Sequence, residues 1–432
     1  MRTLITGGIV LTMEATSGVA RRGDVLVDHG VIVEIAPTID APDAEVIDAA
    51  DCIVMPGFVD THRHAWQTAF RGIGADWTFP QWAAAMHGTL KPHYLPEDVY
   101  VGTLFGRLEA LHSGVTTMLD WFHCATSPDH ADAGIAALRD ATGRSVFCYG
   151  AGWGTKNSVE SEIRRVRAGM PDGGLVSMAM GLRGADDTSM DMVAHEVALA
   201  DELDLPTSLH IAANGNQRPI SDLADRGLLR PATTFVHVNE VTDDELRMLA
   251  NAGCTVSISP DVELKMGFGW PMTGRMLAAG LRPTLSIDDV PSVGGDMFAT
   301  TRTAFVVQRG LDGTLNSRDV LKFATADGAH ALGLGDLIGR LTPGRIADII
   351  LLRTDDPTIF PVTDPEGTIV AAGHPGLVDT VLVAGRIVKR NGTLVGVDLS
   401  ELKSRLMESR DRIAAAAGVR LDGSWNPQPT AI

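Results

Sequence analysis

The sequence predicts an α/β protein: a (β/α)8 TIM-like barrel with a discontinuous small β-sandwich domain built from both termini. Three observations predict it. Eight short apolar runs alternate with helical stretches in the middle of the chain, the pattern of parallel strands wound with covering helices. Short apolar segments broken by glycine and polar turns come before that region and again after it, the spacing of antiparallel strands. Histidines and aspartates recur where the apolar runs end, and barrels of this kind keep their chemistry at the C-terminal ends of their strands.

A chain of 432 residues can bury one large barrel and a smaller domain. The pattern divides it into residues 1–55 (first part of the sandwich), 56–342 (barrel), 343–399 (second part of the sandwich) and 400–432 (an amphipathic helix and tail). A net charge of −18 disfavours binding to nucleic acid or an anionic membrane surface. No apolar run is long enough to span a bilayer, and the N-terminus lacks a signal-peptide core. Cys52, Cys124, Cys148 and Cys254 are widely spaced without a CxxC, which reads as reduced thiols in a cytoplasmic setting.

The expected barrel strands are 52–59, 114–120, 145–150, 174–182, 206–211, 233–238, 254–259 and 283–288. Thr242 to Glu245 forms a capping box that starts one of the intervening helices. The first strand delivers His62 and His64. Residues i and i+2 of a strand share a side, so the two imidazoles can aim at one point. An HxH pair alone is a weak signal. The later strand ends strengthen it: Asp120, Trp121 and His123 after the second, His210 on the fifth, His237 on the sixth, and Asp288 with Asp289 on the eighth.

The chain also carries Pro56-Gly57-Phe58-Val59-Asp60-Thr61-His62-x-His64, then Gln67, Arg71-Gly72 and Trp82, and Asp296-Met297-Phe298. Its exit pattern is Ala324-Thr325-x-x-Gly328-Ala329 and Gly339-Arg340-Leu341-x-x-Gly344-Arg345-x-Ala347-Asp348. In these motifs, in this order, it resembles the amidohydrolase superfamily, in the branch of triazine hydrolases and heterocycle deaminases. The resemblance implies that His62, His64, His210 and Asp288 bind one divalent metal ion, zinc first, with iron or manganese as alternatives. It implies that His237 contacts the activated water or the substrate, that Gln67 and Trp82 line the site, and that the chain forms a homo-oligomer. Three imidazoles and a carboxylate leave an open position on a zinc-like ion, which brings the pKa of bound water toward 7. The fourth strand ends Met180-Gly181-Leu182-Arg183, without the carboxylate or lysine that bridges two metals in relatives, so one metal is expected.

The expected function is hydrolysis of a non-peptide C–N bond in a small cyclic or aromatic compound by metal-bound hydroxide, with heterocycle deamination as the narrower version. One position departs from the deaminase pattern. Where that branch carries a proton-shuttling glutamate three residues after the strand-five histidine, this chain has Ala213. Glu263, Asp289 and Glu240 are candidates to compensate, and Glu263 is preferred as a catalytic residue beside Asp288 and His237; its bland alternative is a solvated loop carboxylate. A substrate that needs no such glutamate, an amide, urea or carbamate, is the alternative reaction. A barrel that has lost turnover is the non-enzymatic alternative. Trp66, Trp77, Phe79, Trp82, Trp121, Trp153 and Trp270 suit a flat, conjugated ligand. His123 and Asn214 are further candidate substrate contacts; for His87, His93 and His123 an exposed loop position is the default.

Overall fold

A computed structural model of the chain describes residues 2–14, 21–151, 159–184, 188–211 and 218–429. In chain order its strands begin with β1 (Arg2–Val10), β2 (Arg21–Asp28), β3 (Val31–Ala36), β4 (Glu45–Asp48) and β5 (Cys52–Pro56). The barrel strands are β6 (Phe58–Arg63), β7 (Val115–Phe122), β8 (Arg144–Gly150), β9 (Val176–Leu182), β10 (Thr207–Ile211), β11 (Thr233–His237), β12 (Thr255–Ile258) and β13 (Pro283–Leu285). Last come β14 (Ile349–Arg353), β15 (Val378–Val383), β16 (Arg386–Arg390) and β17 (Thr393–Leu394).

Among the described residues two sheets form. The barrel sheet runs β6 to β13 in sequence order, each strand parallel to the next. It closes between its ends through a parallel bridge from Arg63 to Asp288. The second sheet has the order β17-β16-β15-β14-β5-β1-β2-β3, with β4 on β1. Its seam is the antiparallel pair of β5 with β14, which joins the two ends of the chain. Ile5, Val25, Val27, Val54, Ile349 and Leu382 pack together as its buried core.

The apolar run expected as one barrel strand, 52–59, is two strands. Gly57 breaks it: β5 belongs to the terminal sheet, and β6 opens the barrel and extends through Arg63. At Gly57 the chain passes so close to Thr116 that a Cβ would lie 2.2 Å from that side chain. Periodicity could not find the break, because strands buried on both faces read as one continuous apolar run. The eighth strand is shorter than expected, ending at Leu285, and Ser286 to Asp288 continue by individual hydrogen bonds.

Two buried arginines hold the frame beneath the site. Arg107 donates to Ser145 Oγ and to the carbonyls of Val115, Thr116 and Arg144, tying a helix to the starts of β7 and β8. Arg144 pairs with Asp348 at 2.8 Å, and Asp348 also accepts from the backbone of Ala384, so this carboxylate joins barrel and terminal sheet. The helix Leu399–Ala416 lies on the helix Pro96–His112, anchored by Ser409 and Arg412 on Asp98. No helix among the described residues is long and apolar enough to cross a membrane.

Candidate metal centre

The barrel closure itself builds the first part of the site. Asp288 N donates to His62 O (2.9 Å) and His64 N donates to Asp288 O (2.8 Å), so the aspartate is fixed between the two histidines by backbone. His210, on β10, and His237, the last residue of β11, reach the same point from across the barrel. His62 Nε2 lies 3.1 Å from His210 Nε2, and Asp288 Oδ1 lies 3.5 Å from His62 Nε2 and 3.3 Å from His64 Nε2. Four ligands arranged tetrahedrally at zinc-like bond lengths stand about 3.3 Å apart. These three separations are close to that edge length; the ligand atoms of His62, His64 and His210 all lie within 4.8 Å of one another, and Asp288 meets the set through His62 and His64.

The electrostatics suit a ligand set. Burial lowers His62, and it holds His64 down to about 3 and His210 well below the ordinary histidine range. The three rings are therefore neutral near pH 7, the form that binds metal. His64 Nδ1 donates to the Trp121 carbonyl at 2.7 Å, which fixes the tautomer and leaves Nε2 with its lone pair. Burial would raise Asp288, but the His62 hydrogen bond and the surrounding imidazoles outweigh it and bring the carboxyl to about 2.

His237 differs from the other three. Its Nδ1 lies 3.2 Å from Glu263 Oε1 and its Nε2 lies 3.6 Å from Asp288 Oδ2. Burial opposes its protonation, yet the Glu263 hydrogen bond and Asp288 prevail and its pKa is raised. Glu263 sits in the helix Pro260–Met266 that follows β12 and is fully buried, which overturns the reading of it as a solvated loop carboxylate. Its Oε1 also accepts from Ser259 N (2.7 Å) and its Oε2 from Asn239 Nδ2 (3.3 Å). His237, Val238 and Asp288 all have positive φ, at 73°, 63° and 68°. A β-branched residue such as Val238 rarely adopts that region, and such outliers concentrate at functional sites.

Around this centre Gln67 is buried with neither end of its amide bonded among the described residues. The Trp82 ring is 6.4 Å from that of His64, and Phe79, Phe268 and His237 continue an aromatic wall. His123 is not an exposed loop residue: it is buried, stacked 4.1 Å from His64, and accepts from Trp66 Nε1. It sits there because β7 runs on to Phe122, two residues past the expected end. Asp289 is buried and turned onto Ser292 N, Glu240 is exposed, and Arg183 is paired with Glu196. Trp270 is 62% exposed. Trp153, Ala213 and Asn214 lie outside the described residues. Sequence reasoning missed Asn239, which holds Glu263. Asn239 follows His237 by two residues, a spacing that could have flagged it.

The amidohydrolase family model matches residues 53–388. The chain belongs to the amidohydrolase family. It is 30% identical to the 5'-deoxyadenosine deaminase of Methanothermobacter thermautotrophicus, over 90% of this chain and 94% of that one. It is likewise 30% identical to a 5-methylthioadenosine/S-adenosylhomocysteine deaminase of Symbiobacterium thermophilum, over 95% and 99%. Among solved structures it resembles a zinc-bound adenosine deaminase from Xanthomonas campestris (TM-score 0.86, 26% identity, 96% and 98% coverage). It shares its fold with the zinc complex of atrazine chlorohydrolase from Arthrobacter aurescens (TM-score 0.85, 21% identity, 94% and 100% coverage). This amidohydrolase is a metal-dependent hydrolase acting on non-peptide C–N bonds.

Proposed function

We propose that the enzyme hydrolytically deaminates an amino-substituted heterocycle of the purine type, with a single zinc ion held by His62, His64, His210 and Asp288. The observation that carries this reading is that the ligand atoms of His62, His64 and His210 lie within 4.8 Å of one another, with Asp288 Oδ1 3.3 Å from His64 Nε2 and 3.5 Å from His62 Nε2. The deaminase relatives support the choice of reaction. When bound, a divalent ion supplies Lewis acidity and brings the pKa of a water toward neutrality.

The chain's own residues would then move the protons. Asp288 turns Oδ1 to the imidazoles and Oδ2 to His237 Nε2, so a proton taken from the attacking water at Oδ2 has His237 as its neighbour. His237 is backed at Nδ1 by Glu263 and can hold the positive charge while its Nε2 proton faces the reacting carbon's substituent. That relay delivers one of the water's two protons to the leaving amine; the other goes to the ring nitrogen, the transfer for which Ala213 carries no group, and the same Asp288–His237 pair would have to serve it. Gln67, His123 and the Trp82 wall bound the space for a flat ring, and Asn214 remains a proposed contact. The four cysteines are buried free thiols, which supports a reducing, cytoplasmic setting.

The Ala213 departure keeps one alternative, hydrolysis of an amide, urea or carbamate. Ammonia release by zinc-loaded enzyme from adenosine, 5'-deoxyadenosine, aminopterins and aminotriazines is the test, run beside amine or acid release from amides, ureas and carbamates. Ammonia from at least one amino-heterocycle is expected. Turnover confined to the second group would replace deamination with the alternative.

A further inference from the structure

The segment that carries the aromatic wall is held from two sides. Toward the metal centre, Gly72 N donates to Val290 O (3.0 Å) and Gly74 N to Pro291 O (2.9 Å), which staples it to the residues that follow Asp288. The short helix Phe79–Ala83 comes next and carries Phe79 and Trp82. Phe79 stacks on Trp82 at 5.9 Å and meets Phe268 edge-on at 5.0 Å. Phe268 in turn lies 5.2 Å from His237, and Trp82 lies 6.4 Å from His64. A helix of five residues is far below the length that holds itself together in water, so its position is set by what it packs against.

The second hold comes from the tail that follows the helix Leu399–Ala416. Residues 421–424 are exposed, but Trp425 packs partly buried on the core and Pro427 is buried. The Trp425 ring meets the buried ring of Trp77 edge-on at 5.1 Å. Gln81 uses both ends of its amide. Its Oε1 accepts from Thr78 N (2.9 Å) and Thr78 Oγ1 (3.0 Å), which fixes the start of the short helix. Its Nε2 donates to Asn426 Oδ1 (2.8 Å) and to Pro427 O (3.4 Å). A tail that only covered apolar surface would need Trp425 and Pro427 alone. The Gln81 bonds add an orientation, because the same amide orders the helix start.

We propose that Trp425, Asn426 and Pro427 are positioning residues for substrate binding: through Trp77 and Gln81 they fix the helix Phe79–Ala83 and so hold Phe79 and Trp82 against the face of the bound ring. The proposal rests on the reading of those two side chains as the wall of a flat-ring site. Phe79 and Trp82, three residues apart, share one face of the helix, and Gln81 falls on another. The tail therefore acts on how the wall stands and leaves the proton transfers at Asp288 and His237 alone.

The test compares full-chain, zinc-loaded parent enzyme with Trp425→Ala, Trp425→Phe and the double variant Trp425→Ala/Asn426→Ala. Hydrogen exchange read by mass spectrometry follows residues 77–84, with β11 as the internal control. Exchange of 77–84 should rise about ten-fold in Trp425→Ala and further in the double variant, with β11 unchanged. Binding of adenosine and pterin, by titration calorimetry and as KM where ammonia is released, should weaken about ten-fold while kcat stays within about threefold. Trp425→Phe, which keeps an edge-on ring, should restore both. Zinc content and melting temperature should match the parent. Unchanged exchange of 77–84 in the double variant overturns the proposal, as does ring binding that survives a rise in exchange. A fall in kcat with loss of zinc at constant KM also overturns it, since the tail would then support the whole centre. Should a ring bind without releasing ammonia, the deamination reading fails, while exchange and calorimetry still decide the role of the tail. Should neither ring bind the parent enzyme, the flat-ring site is refuted and the proposal with it.

Discussion

Glu263 Oε1 stands 3.2 Å from Nδ1 of His237, a contact between the helix after β12 and the end of β11. It gives the one imidazole in the centre with a raised pKa a carboxylate of its own, and Ser259 N and Asn239 hold that carboxylate in place.

Glu263→Gln should therefore lower kcat/KM by about 10²-fold or more, the usual contribution of a general acid or base. Steady-state kinetics on the best substrate check it. A value within twofold of the parent enzyme would remove Glu263 from the chemistry.

Metal analysis by mass spectrometry should find about one equivalent per chain, as expected for a single set of converging ligands that keeps a position open for water. His210→Ala should lose most of that metal, because it removes the ligand whose Nε2 lies 3.1 Å from that of His62. Chelation should abolish activity and added zinc restore it. Two tightly held equivalents would contradict the single-metal reading.

Asp348→Ala should destabilise the protein by about 3–5 kcal/mol, since it leaves Arg144 buried without its counter-charge and frees Ala384 N. Denaturant unfolding measures this. A change below 1 kcal/mol, roughly the value of a surface ion pair, would mean that the link between barrel and terminal sheet carries little energy.

Asp120 predicts a pH dependence for the metal-free protein. Burial raises its carboxyl to about 7, against which the Ala65 N–H works only in part, and its Oδ2 has no partner among the described residues. A carboxyl whose folded-state pKa lies above its unfolded value binds its proton more tightly when folded. Its contribution is therefore complete below about pH 4, the unfolded value, and is lost as pH rises toward 7. Melting temperature should fall between pH 5 and 7.5, and Asp120→Asn should flatten that fall. An unchanged slope in the variant would assign the effect elsewhere.

Sequence alone determined the barrel and the discontinuous terminal sheet and singled out His62, His64, His210, His237 and Asp288 as candidates, because strand ends and their order are local properties of the chain. It gave the first strand as one element, since an apolar run does not say which of two sheets it joins, and only the pairing of β5 with β14 separates it at Gly57. Tertiary structure decided the rest. That Glu263 is buried against His237 and that His123 stacks on His64 are facts about distance between segments. Burial and charge pairing depend on which segments meet, and no local pattern encodes the meeting of β11 with the helix that follows β12.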